Sequence, residues 1–249
     1  MLYIRSVLIG ACLAALAGVA TPAVNADIIQ TFGVANAHVG DKTNLADAII
    51  AFDVSAANNT VSVTITNAST MHAANELLRS VSFDVQSSGG SEPSSPSGLA
   101  LSDGQSVTVA SGGAATTTSL AGLSALGANA WTISPSTTGP GATSTFLLSS
   151  SGPKYLVIGP SPYVDANSSI TGNKGHKVFL GNSPIFTFHL QNLTAADSIN
   201  NVVVGFGTGS DVVSASLLSS TSVPEPSTLA LLVVGSSLLL VSRRRPRPA

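Results

Sequence analysis

The middle of this 249-residue chain consists largely of short segments in which apolar and polar residues alternate. In one of them, Ile50, Phe52 and Val54 would share one face, and Ala51 and Asp53 the other. A period of two residues is typical of a β-strand that buries one face. The alternation therefore predicts a body built from β-strands.

Further segments show the same pattern or are short apolar runs between turn-forming residues. They are 28–34, 61–65, 81–85, 146–148, 155–158, 186–190, 202–206 and 212–218. Residues 56–59 have the composition of a turn and predict a hairpin between 50–54 and 61–65. Residues 71–78 are one of the few stretches compatible with a helix, of about two turns. Together these features predict an all-β fold with an antiparallel, sandwich-like body.

The stretch 87–127 is rich in Ser, Gly and Thr and lower in complexity than its surroundings. Two interpretations stay open for it. Two short strands could lie near Val107 and Leu120, or the stretch could be a surface excursion without regular structure.

The C-terminal segment 223–249 contains a tripeptide, an uncharged apolar run and a basic cluster, in that order. The two prolines of Pro224-Glu225-Pro226 fix φ and lack an amide hydrogen, so they hold the tripeptide extended. As a helix, the uncharged residues 227–242 would span about 24 Å. This is somewhat less than the roughly 30 Å hydrocarbon core of a bilayer, and snorkelling arginines and a thinned bilayer can make up the difference.

The apolar run predicts a C-terminal transmembrane helix, and the basic cluster its orientation. The membrane-facing positions are Leu229, Leu232, Val233, Leu239 and Val241, and the orienting ones are Arg243, Arg244, Arg245 and Arg247. Because basic residues stay on the cytoplasmic side, everything N-terminal to this helix is expected outside the cytoplasm.

This order of tripeptide, apolar run and arginines resembles the PEP-CTERM sorting signal, which exosortases recognise on exported proteins of Gram-negative bacteria. In that resemblance Pro224, Glu225 and Pro226 are the recognition element. The resemblance implies processing by an exosortase near the tripeptide. It also implies an intermediate in the inner membrane with its body in the periplasm. The final place would be the cell surface or extracellular matrix, in association with polysaccharide.

The N-terminal segment 1–26 has the layout of a secretory signal peptide, a predicted signal helix. Arg5 is followed by the apolar run 7–20, and small residues precede a cleavage point between Ala26 and Asp27. The residues before Cys12 resemble a lipoprotein cleavage box, but this box lies inside the apolar run. Cys12 is the single cysteine, so cleavage after Ala26 leaves a body, 27–222, without disulfide or thiol chemistry.

The charge composition of the body indicates which classes of partner it can bind. Charged residues make up only 9% of the chain, and acidic residues outnumber basic ones within 27–222. An acidic surface argues against nucleic acid as a partner. The predicted partners are the export machinery, an exosortase, the membrane and, through the resemblance, extracellular polysaccharide.

Motifs that could carry catalysis or bind a metal are weak. Ser151 and Lys154 have the Ser-x-x-Lys spacing, but Gly and Pro between them oppose the helix that this chemistry needs. The four histidines show no zinc-ligand spacing. The glycine-rich segment 205–211 fits a turn between two strands better than a dinucleotide or calcium motif. Asp165 and Asn167 could offer oxygens to calcium, as most polar loops could.

The sequence therefore predicts a protein that is not an enzyme and that needs no cofactor or metal. Two alternatives stay open. A carbohydrate-binding module would need an exposed aromatic platform built from Trp131, Tyr155 or Tyr163. A hydrolase would need two acids that converge in a cleft, about 5–10 Å apart in the case of a glycosidase.

Overall fold

The structure is a computed structural model that describes most of the segment 27–223. The described residues are 27–40, 44–70, 73–88, 93, 95–138, 143–163, 166, 168–171, 178–207 and 211–223. They lie in the unit Ala26–Val223. The predicted signal helix in 1–26 and the predicted membrane helix and sorting motif in 224–249 lie outside the described residues. Among the helices in the described part of the chain, none is long and apolar enough to cross a membrane.

The described residues form twelve strands and one short helix. The strands are β1 (Asp27–Val39), β2 (Asn44–Ser55), β3 (Thr60–Asn67), β4 (Leu78–Gln86), β5 (Ser97–Val109), β6 (Ala115–Ser119), β7 (Trp131–Thr138), β8 (Thr143–Ser150), β9 (Val178–His189), β10 (Ser198–Phe206), β11 (Asp211–Ser214) and β12 (Ser216–Val223). The helix is α1 (Ser168–Thr171), and 3₁₀ turns occur at Ala74–Glu76 and Leu123–Asn129.

The strands form two antiparallel sheets. The larger has seven strands in the order β12-β1-β2-β3-β9-β5-β6, and the smaller has five in the order β11-β10-β4-β8-β7. Each pairing between these strands is antiparallel. The predicted all-β, antiparallel fold is confirmed, as is the hairpin of β2 and β3 with its turn at 56–59.

The two sheets share one core. Phe52 of the larger sheet lies 4.9 Å, between ring centroids, from Phe83 of the smaller sheet, and Trp131 of the smaller lies 4.9 Å from Phe186 of the larger. Alternate side chains of β2, β3, β4 and β10 are buried, as the alternation predicts. These contacts place the apolar faces of the sheets against each other, which is the packing that a sandwich-like body requires.

The predicted helix at 71–78 is wrong for the part that the structure describes. Only one 3₁₀ turn, Ala74–Glu76, occurs there, and β4 already begins at Leu78. Leu77 and Leu78 are both buried, and the amide of Leu78 donates to the Val157 carbonyl (3.0 Å). Burial of these two side chains and backbone pairing outweigh the weak local preference for a helix.

The predicted strand at 155–158 is also wrong. Tyr155 has a φ of 60°, and only Val157 forms isolated bridges, one to Leu78 and one to Leu180. The segment therefore connects the two sheets through its backbone, because Leu78 belongs to β4 in one sheet and Leu180 to β9 in the other. An apolar run alone does not distinguish this role from that of a strand.

Two other expectations are refined. The segment 212–218, predicted as one closing strand, is divided between β11 in the smaller sheet and β12 in the larger one. In the stretch 87–127, the strand alternative is the one observed for 97–119, where β5 pairs with β9 and with β6. Gly112 and Gly113, both with positive φ, form the turn between β5 and β6.

Candidate functional site

The feature of the body nearest in sequence to the predicted sorting motif is β12. It forms one edge of the larger sheet and pairs with β1, with Asp27 opposite Val223 and Thr31 opposite Ser219. Pro224, the first residue of the predicted motif, follows Val223 directly. The predicted signal cleavage point, between Ala26 and Asp27, adjoins the first residue of β1. The two predicted processing points therefore flank residues that are direct neighbours in the sheet.

β12 buries none of its side chains. All eight are exposed, and Leu217 and Leu218 are 54% and 61% exposed. By contrast β3, which also has eight residues, alternates buried and partly buried positions and pairs on both sides. Charged residues and prolines usually protect an edge strand from pairing with a further strand. β12 contains neither.

The contact of β12 with β1 requires a glycine at position 33, because Leu218 occupies the space that a side chain would need. A side chain at Gly33 would meet Leu218, since an added Cβ would lie 2.7 Å from its Cδ1. The register also shifts between Thr31 and Phe32, a β-bulge near the middle of the pairing. The bulge and the glycine let Leu218 lie over β1 even though most of its surface stays in water.

Two carboxylates lie beside the start of β1. Partial burial raises the pKa of the Asp53 carboxyl above its ordinary value, and the nearby charge of Asp27 raises it further. Asp53 belongs to β2 and is exposed. Asp27 is partly buried, and its Oδ1 is buried without a hydrogen-bond partner among the described residues.

The predicted sorting residues are not tested by the geometry, since they lie outside the described residues. These are the tripeptide Pro224, Glu225 and Pro226, the membrane positions Leu229, Leu232, Val233, Leu239 and Val241, and the arginines Arg243, Arg244, Arg245 and Arg247. Of the predicted signal cleavage pair, Ala26 is outside as well, and Asp27 is the first residue of β1.

The aromatic residues proposed for a sugar platform do not form one. Trp131 and Tyr163 are buried, and Tyr155 is partly buried against the core. The Trp131 Nε1 donates to the Tyr155 carbonyl (2.9 Å), and the Tyr163 hydroxyl donates to the Gly159 carbonyl (3.0 Å). All eight phenylalanines are buried too. The carbohydrate-binding alternative therefore loses the rings of Trp131 and Tyr163, and that of Tyr155 is partly covered.

The weak catalytic motifs have structural roles where they are described. The Ser151 hydroxyl donates to the Ala130 carbonyl (2.9 Å), and the residues 151–155 form bends instead of a helix. Asp211, the last residue of the glycine-rich segment 205–211, is also the first residue of β11. It accepts a hydrogen bond from the amide of Gly40 (2.8 Å), which directly follows β1. Gly207, with a φ of 68°, begins the predicted turn after β10.

The described residues show no metal-binding cluster. Within the described ranges, no group of three His, Cys, Asp or Glu side chains could hold an ion. His38 and His189 are exposed on β1 and β9, the latter as predicted, while His72 and His176 lie outside the described residues. Asp165 and Asn167, which could offer oxygens to calcium as most polar loops could, lie outside the described residues as well.

The pairing of Asp27 with Val223, the described residues next to the two predicted processing points, could not be read from the sequence. The alternation that predicts strands requires one buried face, and β12 has none. The sequence signal for β12 was weaker than the alternation of the other strands. The segment 216–223 contains no charge and no proline, which is compatible with an edge strand.

Comparison with known proteins assigns the class of the C-terminal segment. Residues 222–245 match the model of the PEP-CTERM protein-sorting motif. The resemblance predicted from the tripeptide, apolar run and arginines is thereby confirmed, and the chain carries the sorting motif of exosortase-targeted exported proteins. The match begins within β12, at Ser222, and leaves the remainder of the body unassigned. No curated protein and no solved structure matches the chain.

Proposed function

We propose that this protein is an exported β-sheet body delivered by its C-terminal signal. The segment 224–249 holds the protein in the inner membrane until an exosortase processes it near Pro224-Glu225-Pro226. The body then becomes part of the cell surface or extracellular matrix of a Gram-negative bacterium. It has a structural or interaction role there, in association with polysaccharide. The observation that carries this proposal is the match of residues 222–245 to the sorting motif.

Three physical properties support the proposal. Four arginines after an apolar run favour a cytoplasmic C-terminus, and hence a body outside. The body has few charges and no cysteine, so its folding needs neither a disulfide nor a reducing compartment. The side chains of Ser151 and Asp211, from two of the weak motifs, make hydrogen bonds to backbone groups, which supports a structural role for them.

The structure gives less support to the carbohydrate-binding and hydrolase alternatives. The proposed aromatic platform is buried or partly buried. A groove of about 710 Å³ between β5, β6 and the loop 158–163 is lined by uncharged residues, and another beside β12 has Asp47 as its acid. Neither groove shows the converging pair of acids that a glycosidase would need.

The experiment uses the full chain in a host that contains an exosortase. Glu225→Gln is expected to leave an unprocessed form, because it removes the one charge of the recognition tripeptide. Removal of Arg243 to Arg247 is expected to leave an unprocessed or secreted form, because the membrane stop loses its orientation. Immunoblotting of membrane, surface and medium fractions measures both.

Controls that each remove one charge come from the body. Asp103→Asn also removes one negative charge, at an exposed position of β5, and Lys154→Gln removes an exposed positive one. Both are expected to be processed like the unaltered protein. Normal processing and surface retention of the Glu225 and arginine variants would refute the proposed sorting function.

A further inference from the structure

We propose that β12 is itself part of what the exosortase binds, and that it must leave β1 and enter the enzyme as an extended strand before processing. This inference rests on the sorting function proposed above. It adds a physical requirement to that function, which is that the last strand of the folded body opens each time a molecule is processed.

The register of β1 and β12 creates this requirement. Their pairing continues to Val223, which lies opposite Asp27, and the motif begins with the next residue. Extended peptides are commonly bound by strand addition, in which main-chain hydrogen bonds supply the affinity. With β12 in place, one edge of the main chain up to Val223 is paired with β1 and only the other edge is free in the described sheet. An enzyme that pairs with both edges of the peptide therefore cannot take up the residues before Pro224 until β12 leaves β1.

The way β12 is attached makes its release feasible. Its eight side chains are all exposed, and β1 is its neighbour in the sheet. Elements with few buried apolar contacts and solvent-exposed backbone hydrogen bonds open locally before the rest of a protein does. The core cluster contains residues of β1 but none of β12, so the release leaves the core intact.

The freed strand has suitable length and chemistry. Eight extended residues span about 26 Å, enough to move the body away from an enzyme at the membrane. The sequence Ser-Leu-Leu-Ser-Ser-Thr-Ser-Val has no charge and no proline, so no position lacks the amide hydrogen that pairing with an enzyme strand would use. After processing, the same segment can return to β1 and complete the sheet.

A reversible lock between β1 and β12 tests this proposal. Thr31 and Ser219 lie opposite each other, as do Ile28 and Ser222. Positions an odd number of residues apart alternate between the two antiparallel pair types, so the two cysteine pairs sample both geometries. Cys12 lies in the predicted signal peptide and the body has no cysteine of its own, so after cleavage each double variant forms its disulfide without competition.

The expected result is that the oxidised Thr31→Cys/Ser219→Cys or Ile28→Cys/Ser222→Cys protein is processed at least tenfold more slowly than the unaltered full chain. Reduction with dithiothreitol should restore the rate. A matched lock, Ala51→Cys/Thr64→Cys, joins opposite residues of β2 and β3 and leaves β12 free. It should be processed normally. Equal rates for an oxidised β12 lock and this control would overturn the proposal.

Amide hydrogen exchange of the unlocked protein is a second, independent measurement. Amides of β12 that donate to β1 should exchange faster than those of β3, which is paired on both sides. Exchange of β12 as slow as that of β3 would also overturn the proposal. The Glu225→Gln variant distinguishes failure of the proposed sorting function from failure of the proposed role of β12. If this variant is processed normally, the sorting function itself is wrong. If it blocks processing while the lock does not, only the role of β12 fails.

Discussion

The ring of Trp131 lies in the core between the sheets, where it is 1% exposed and packs against Phe186. Its Nε1 donates to the Tyr155 carbonyl, so the polar edge of the indole is satisfied as well. A buried Trp with its N–H bonded stabilises a fold through apolar area and a directed contact. The same residue on an exposed surface could have stacked on a sugar, which its burial prevents in the folded body.

Trp131→Ala should therefore lower the free energy of unfolding by about 3–5 kcal/mol, because it leaves a cavity in the core. Trp131→Phe should cost less, since it keeps a ring and loses mainly the hydrogen bond to Tyr155. Denaturant unfolding followed by circular dichroism measures both. Thr132→Ala changes the exposed neighbour and should shift stability by no more than about 0.5 kcal/mol. A similarly small effect of Trp131→Ala would contradict the core role.

At the scale of elements, Asn67 joins three segments at the end of β3. Its Nδ2 donates to the carbonyls of Glu76 (2.7 Å) and Val157 (2.8 Å), and its Oδ1 accepts from the amide of Ser69 (3.0 Å). The side chain is buried. It therefore holds the 3₁₀ turn before β4 and the bridging segment at 157 against β3.

Asn67→Ala should destabilise the body by about 2–3 kcal/mol, since it leaves buried carbonyls without a donor. Asn67→Asp should cost at least as much, because a carboxylate would face the two carbonyl oxygens. Thermal unfolding measures the effect, with Asn58→Ala as the control, because the Asn58 side chain makes an exposed hydrogen bond to Ser55. Stability of Asn67→Ala equal to that of the control would show that the amide does not hold these segments together.

Elements that bury alternate residues were predictable from the sequence, and elements held by backbone pairing were not. β2, β3 and β10 were recognised because their apolar residues recur with period two and face the core. The bridging segment 155–158 is apolar like a strand, yet only Val157 forms bridges. β12 places Leu217 and Leu218 outward, so periodicity could not predict its extent or its partner.

For the whole molecule, the two-sheet body brings Asp27 and Val223 together as opposite residues of β1 and β12. The residues next to them in sequence are the predicted signal cleavage point and the sorting tripeptide. The tripeptide, apolar run and arginines could be read from the sequence because their order and chemistry are local features, and residues 222–245 match the sorting motif. The pairing of Asp27 with Val223 depends on long-range strand contacts, which no local pattern encodes.

The intact mass of the protein recovered from the cell surface tests the central claim most directly. The account predicts a chain that begins at Asp27 and ends near Pro224-Glu225-Pro226, without the arginines from Arg243 to Arg247. The same measurement on Glu225→Gln should give a chain that keeps its C-terminal segment. A surface form that retains the whole segment 224–249, or a chain recovered from the cytosol with Met1 and Ala249 both present, would contradict the account.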